Sequence, residues 1–131
     1  MEKKLLLESK IDSLHEIEKV IDEISGKHEF ADELYGNILI AALEAVNNAI
    51  THGNKFDSSK EIDFSITVSN NKLIIKTKDQ GDGFDFNNLP DPTAPENIEN
   101  ITGRGIFLMR SLSDELKFLD EGRVSEMIFN L

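Results

Sequence analysis

The spacing of apolar residues along the chain switches between a period of two and one near 3.6, and each switch predicts a new element. Residues 3–8 carry a short strand pattern with Leu5 and Leu7 on one face. From Ile11, the residues Leu14, Ile17, Val20, Ile21 and Ile24 recur at spacings of three and four with Glu and Lys between them. That pattern predicts an amphipathic helix, closed at Gly26. A second helix, about residues 31–52, is far more apolar, and its segment ILIAALEAVNNAI offers little polar surface. Such a helix lies mostly buried, so the polar residues it carries need a reason. In EIDFSITVSNNKLIIKTKD, the residues Ile62, Phe64, Ile66 and Val68 alternate with polar ones. Asn70 and Asn71 suit a tight turn, and Leu73, Ile75 and Thr77 carry the return strand. The Pro-rich stretch LPDPTAPENIENITG, residues 89–103, reads as a loop. A third helix is predicted at about residues 104–116, then a hairpin pairing 117–119 with 124–131 around Glu121 and Gly122. Helices first and antiparallel strands after them predict an α+β fold: a two-layer sandwich with helices on one face of a mixed, mainly antiparallel sheet and a polar open face.

Composition narrows the partners. The 131 residues are about one domain, expected to span 1–131. With 25 acidic and 14 basic residues the net charge is -11, which opposes binding to nucleic-acid phosphates or to an anionic membrane. A bound polyphosphate must then be held by local devices: backbone amides, a helix N-terminus, a metal ion or one placed arginine. With no cysteine, disulfides, thiolate metal sites and cysteine nucleophiles are excluded. The start, MEKKLLLESK, is too weakly apolar for a signal-peptide core, and no apolar run approaches the ~20 residues that span a bilayer. The expectation is a soluble, cytoplasmic protein.

Three segments carry candidate chemistry. In EAVNNAITHGN on the buried helix, Glu44 and Asn48 are four residues apart and share a helix face. An Asn carbonyl is a neutral, hard oxygen suited to Mg²⁺, and a nearby Glu can orient or deprotonate an attacking hydroxyl. The same two side chains equally suit hydrogen bonds between helix and sheet. The second segment is DQGDGFD, residues 79–85. As an EF-hand loop it would need oxygen ligands where Gly81 and Gly83 stand, glycine where Phe84 stands and Glu where Pro90 stands, so calcium is excluded. A carboxylate at a strand end followed by glycines fits hydrogen bonding to an exocyclic amine, with backbone open to a flat ring such as adenine; a hairpin turn is the other reading. In the third segment, TGRGIFLMRSLSDEL, Gly103 and Gly105 precede an apolar helical run whose free first-turn amides suit an anion. Arg104 is placed for a forked phosphate contact, or for solvent.

Taken together in this order and spacing, the segments resemble the N, G1 and G2 boxes of the GHKL ATPases. They are most similar to the small stand-alone anti-sigma-factor serine/threonine-protein kinases of that superfamily, from about Ile11 to the end of the chain. The resemblance implies a histidine-kinase-like ATPase fold. It also implies that Asn48 ligates Mg²⁺ bridging the phosphates of ATP and that Glu44 is the catalytic carboxylate. Asp79 would hydrogen-bond the adenine amine, with Gly81 and Gly83 giving ring and lid room. Thr102, Gly103, Arg104, Gly105 and Ile106 would surround the phosphates, Thr102 standing where some family kinases have arginine. Residues 86–102 would form the lid. The implied activity is transfer of the γ-phosphoryl group of ATP to a serine of an anti-anti-sigma-type protein, alternating with sequestration of a sigma factor, in a chain that homodimerises. The competing function is a nucleotide-dependent protein-binding module that transfers no phosphate; the two share every pocket residue except the need for Glu44.

Overall fold

The computed structural model describes residues 1–84 and 101–131, and for 101–103 only the helical backbone. Strand β1 (Glu2–Glu8) leads through a 3₁₀ turn at Ile11–Ser13 into α1 (Leu14–His28) and α2 (Asp32–Asn48), which ends in a π-helical turn, Ala49–Gly53. Then come β2 (Glu61–Ser69), β3 (Lys72–Lys78), α3 (Ile101–Leu112), β4 (Glu115–Leu119) and β5 (Val124–Asn130).

The strands form one sheet in the order β1-β2-β3-β5-β4. Every pairing among the described residues is antiparallel, so the α+β sandwich forms as expected but without a parallel pair. Asn70 and Asn71 both adopt left-handed backbone, φ 52° and 61°, the conformation a two-residue hairpin turn of matching twist requires. Register then follows from which face is buried. Leu7, Ile62, Phe64, Ile66, Leu73, Ile75, Met127 and Phe129 are buried and form one core cluster with Ile17 and Ile21 of α1, Ile38 and Ala45 of α2, and Ile106 and Met109 of α3. The opposite face carries Lys4, Asp63, Ser65, Lys76 and Lys78, with Lys76 paired to Glu126 at 3.5 Å. Its expected polarity is broken by Leu6 and by the cross-strand pair Ile74 and Ile128.

Two helix boundaries differ from expectation. The first helix runs through Gly26 to His28, and Glu29 terminates it in the left-handed region, φ 53°. Glycine inside a helix costs about 1 kcal/mol relative to alanine, and burial of Val20, Ile21 and Ile24 next to it offsets that. The third helix begins at Ile101 and ends at Leu112, so Gly103 and Gly105 lie inside it and Leu116 belongs to a strand. No helix among the described residues is long and apolar enough to cross a membrane.

Candidate functional site

The polar residues of α2 meet a glycine of α3. Glu44 and Asn48 are half-buried on one face of α2, and a Cβ at Gly105 would sit 3.1 Å from Glu44 Oε2 and 3.6 Å from Asn48 Oδ1. The absent side chain lets α3 pass close to a carboxylate and a carboxamide oxygen. These are hard oxygen donors. No group of three or more His, Cys, Asp or Glu among the described residues could hold a metal, so an ion here would take few ligands from protein, as Mg²⁺ does beside phosphate oxygens and water. Glu44 Oε2 and Asn48 Oδ1 are oxygens of the kind such an ion takes.

Beyond Asn48, the helix widens. Asn54 N–H bonds the Ala49 carbonyl at 2.8 Å, five residues back, and Thr51 Oγ1 donates to the Asn47 carbonyl at 2.9 Å. Single π turns of this kind re-aim the residues they contain. Here the turn sets Gly53 against Asp79 so closely that a Cβ would overlap the carboxylate, while a Cβ at Gly81 would overlap the Gly53 carbonyl.

Asp79 follows β3 directly and is buried. Its Oδ1 accepts the Gly81 N–H at 2.8 Å. Burial raises its pKa above the ordinary 3.8, and the Gly81 N–H and the nearby Arg123 guanidinium oppose that rise. The turn is pinned from two sides. Buried Asn54 donates through Nδ2 to the Glu61 carbonyl at 3.1 Å and accepts the Gln80 N–H through Oδ1 at 2.7 Å. Arg123 donates through Nε to the Gly81 carbonyl at 2.8 Å and through a terminal nitrogen to the Asp82 carbonyl at 3.3 Å. Backbone bonds from Asp79 N to Arg123 O (3.0 Å) and from Phe84 N to Glu121 O (2.9 Å) complete the seam, with Phe84 edge-on to Phe118. Gly83, φ 81°, lies in this seam.

A single cavity joins the two ends, with Asn48, His52, Thr77, Asp79, Gly83 and Met109 among its lining residues. Desolvation lowers the His52 pKa below the ordinary 6.5, favouring the neutral imidazole. Asn48, Asp79 and Gly83 therefore share one space, with Glu44 and Gly105 adjoining it through Asn48. Gly81 shapes the turn behind it. Arg104 is exposed. The Ile106 side chain packs in the core, and a helix starting at Ile101 commits the Gly105 and Ile106 amides to carbonyls four residues earlier. Thr102 and Gly103 fall in the first turn, whose N–H groups have no helical partner. The expected lid, residues 86–102, lies outside the described residues except for its helical end.

The sequence matches the histidine kinase-like ATPase domain over residues 7–129. The chain belongs to that family. Among its curated relatives, serine-protein kinase RsbW of Bacillus licheniformis is 30% identical over 113 residues, covering 81% of this chain and 71% of the relative. RsbW of Listeria monocytogenes is 28% identical over 106 residues, 76% of this chain and 68% of the relative. RsbW of Bacillus subtilis is 28% identical over 95 residues, 68% and 59% respectively.

Sequence reasoning missed Gly53, Asn54 and Arg123, which build the Asp79 turn. For Gly53 and Asn54 a signal existed, since HGN directly continues the buried helix. Arg123, in a charged hairpin next to Asp120 and Glu121, reads as a solvated surface residue.

Proposed function

We propose that this family member is an ATP-dependent protein serine kinase of a partner-switching system. It phosphorylates an anti-anti-sigma-type protein and sequesters a sigma factor or similar regulator, as a cytoplasmic protein able to pair with a second copy of itself. The observation that carries this reading is the single cavity lined by both the buried Asp79 and Asn48, with the Glu44 carboxylate near Asn48 beneath Gly105 of α3. A purine amine at Asp79 would then leave the phosphate chain toward α2 and α3. The relatives' name, serine-protein kinase, supports the reaction class.

Magnesium, when bound, would supply charge neutralisation across the phosphates. Asn48 holds the ligand oxygen for it. Glu44 accepts the proton of the serine hydroxyl as the new O–P bond forms, the bond to the ADP oxygen breaks and ADP leaves with the electron pair. The Asp79 turn fixes the base and so the register of the phosphates, which is most of what phosphoryl transfer requires of a protein.

The test uses γ-labelled Mg-ATP and an anti-anti-sigma-type protein as acceptor. Wild type transfers label to a serine, while Glu44→Ala binds ATP with near-normal affinity and transfers none. Label transfer by Glu44→Ala at the wild-type rate would refute the role of Glu44. ATP binding by wild type with no transfer would leave the sequestering module as the function.

A further inference from the structure

Transfer to a protein requires that the acceptor's serine come within reach of Glu44, so the surface around Glu44 has to seat that partner. The sheet side of the helices is closed by the core cluster, which leaves the solvent side of α2 and α3. On α3, Ile106 and Met109 are buried and Gly105 faces Glu44. At about 100° per residue, Leu108, Arg104, Ser111 and Phe107 fall within one arc of about 100° that begins about 60° from Gly105; Arg110 lies about 60° beyond Phe107. All five are exposed, Phe107 by 47% and Leu108 by 37%. On α2, Ile40 stands one turn before Glu44 on the same face and is 46% exposed. Exposed apolar side chains therefore border Glu44 on both helices.

The charge on this face runs against that of the chain. The net charge is -11, and only Arg104, Arg110 and Arg123 are arginine. Arg123 is tied into the Asp79 turn. Arg104 and Arg110 are exposed and make no ion pair or side-chain hydrogen bond among the described residues. Asp114, four residues after Arg110, instead accepts the Asn130 N–H through Oδ2 at 2.7 Å. The two free guanidinium groups stand six residues, about 9 Å of helix, apart, with Phe107 and Leu108 between them. Arginine and phenylalanine are side chains that protein interfaces concentrate, and an unpaired guanidinium keeps its fork free for a partner's carboxylate. A face that is apolar at its centre and cationic at both ends is complemented by a segment that is apolar at its centre and acidic at its flanks.

We propose that the exposed face of α3, residues 104–110, is the docking surface for the acceptor protein, which meets it with an acidic and apolar segment and so brings its serine to Glu44. This rests on the kinase reading above and adds to it where the partner sits and the chemistry that selects it. The negative charge of the chain as a whole repels an acidic protein at long range. Selection therefore falls to the two arginines and Phe107 at contact.

The experiment measures, by calorimetry at low and high salt, the binding of an anti-anti-sigma-type protein to the chain loaded with magnesium and a non-hydrolysable ATP analogue. Wild type is compared with Phe107→Ala, Arg110→Glu and Leu6→Ala, the last removing an apolar side chain 63% exposed on the far face of the sheet. All three are surface substitutions and should melt within a few degrees of wild type. Phe107→Ala is expected to weaken acceptor binding about tenfold at either salt. Arg110→Glu should weaken it about tenfold or more at low salt and much less at high salt. Leu6→Ala should leave it unchanged, and nucleotide affinity should be that of wild type in all three. In transfer of γ-label the loss should appear in KM for the acceptor, with kcat kept. Unchanged acceptor binding in Phe107→Ala and Arg110→Glu, an equal loss in Leu6→Ala, or a loss that accompanies weakened nucleotide binding would each overturn the proposal. Loss of self-association on sedimentation, with acceptor binding intact, would assign the face to a second copy instead. Failure of the kinase reading looks different. Wild type that binds the acceptor but transfers no label, with binding still lost in the two α3 variants, keeps the docking surface and removes the reaction; wild type that binds no acceptor removes both.

Discussion

Replacing Arg123 with alanine tests how the Asp79 turn is held. The guanidinium ties together two strand-end segments through three carbonyls: Nε to Gly81 O at 2.8 Å, one terminal nitrogen to Asp82 O at 3.3 Å, and the other to Asp120 O at 3.3 Å. Its ion pairs, to Asp120 at 3.6 Å and Glu121 at 3.3 Å, involve carboxylates 50% and 81% exposed, and pairs of that kind contribute about 0–1 kcal/mol. The short bond to Gly81 dominates, and a hydrogen bond from a charged donor is worth about 1.5–3 kcal/mol. Arg123→Ala should therefore lower stability by about 2 kcal/mol, or about 6–10 °C in melting temperature for a chain of this size. The backbone bond from Asp79 N to Arg123 O at 3.0 Å survives the substitution. The turn is thus loosened rather than released, and ATP affinity should fall by about tenfold, equivalent to about 1.4 kcal/mol. Arg123→Lys retains the charge but not the fork, and should recover less than half of both losses. Thermal unfolding and calorimetry with Mg-ATP on the three proteins measure this directly. A melting temperature that falls as expected with ATP affinity unchanged would refute the link from Arg123 to the site. An unchanged melting temperature would refute the clamp itself.

Two other substitutions test the cavity ends. Asp79→Asn should weaken Mg-ATP by more than tenfold, on the order of the loss of one charge-assisted bond, while the fold persists because Asn can still accept the Gly81 N–H. Because burial raises the Asp79 pKa above 3.8, the folded state holds that proton more tightly than the unfolded state. Its contribution to stability is full below 3.8 and is lost as pH rises through the raised value. Urea unfolding without nucleotide, followed from acid to neutral pH, should show this loss in wild type and not in Asp79→Asn; parallel profiles would contradict it. Gly105→Ala should separate stability from activity. Alanine gains about 1 kcal/mol of helix propensity, but its Cβ would lie 3.1 Å from Glu44 Oε2. The expected outcome is a melting temperature at or above wild type with phosphoryl transfer down about tenfold or more through misplacement of Glu44, and wild-type turnover would show that Glu44 does not need this opening.

What the sequence displays and what it conceals divide along physical lines. Strong periods survive into the structure. The alternation of Ile62 to Val68 and of Leu73 to Thr77 became β2 and β3 in register, because one face had to be buried. Ends of elements were less legible. Gly26 looks like a stop, but no heavy atom lies within 4 Å of a Cβ placed there, and the helix passes through. Leu112 and Leu116 are four apart and extend a helical pattern, yet Leu116 and Phe118 also alternate, and the sheet claimed them. At the site, Glu44, Asn48 and Asp79 were conspicuous as polar groups in apolar surroundings or at a strand end. Arg123 was concealed because the carbonyls it holds in the Asp79 turn are more than 40 positions away, and backbone acceptors leave no trace in side-chain identity. Thr77 was visible as part of a strand but not as an orphaned hydroxyl, which only the assembled core reveals.

The π turn after α2 means that one continuous helical rod carries both ends of the cavity: Glu44 and Asn48 near one end, and Gly53, seated against the Asp79 carboxylate, at the other. The rod acts as a ruler. The spacing between the two ends is then fixed by the rise of the helical backbone rather than by the mutual packing of separate elements. A residue added or removed between Asn48 and Gly53 would break the five-residue hydrogen bond of the turn and rotate Gly53 relative to Asn48, so chain length in this stretch constrains the protein as well as the side chains on it.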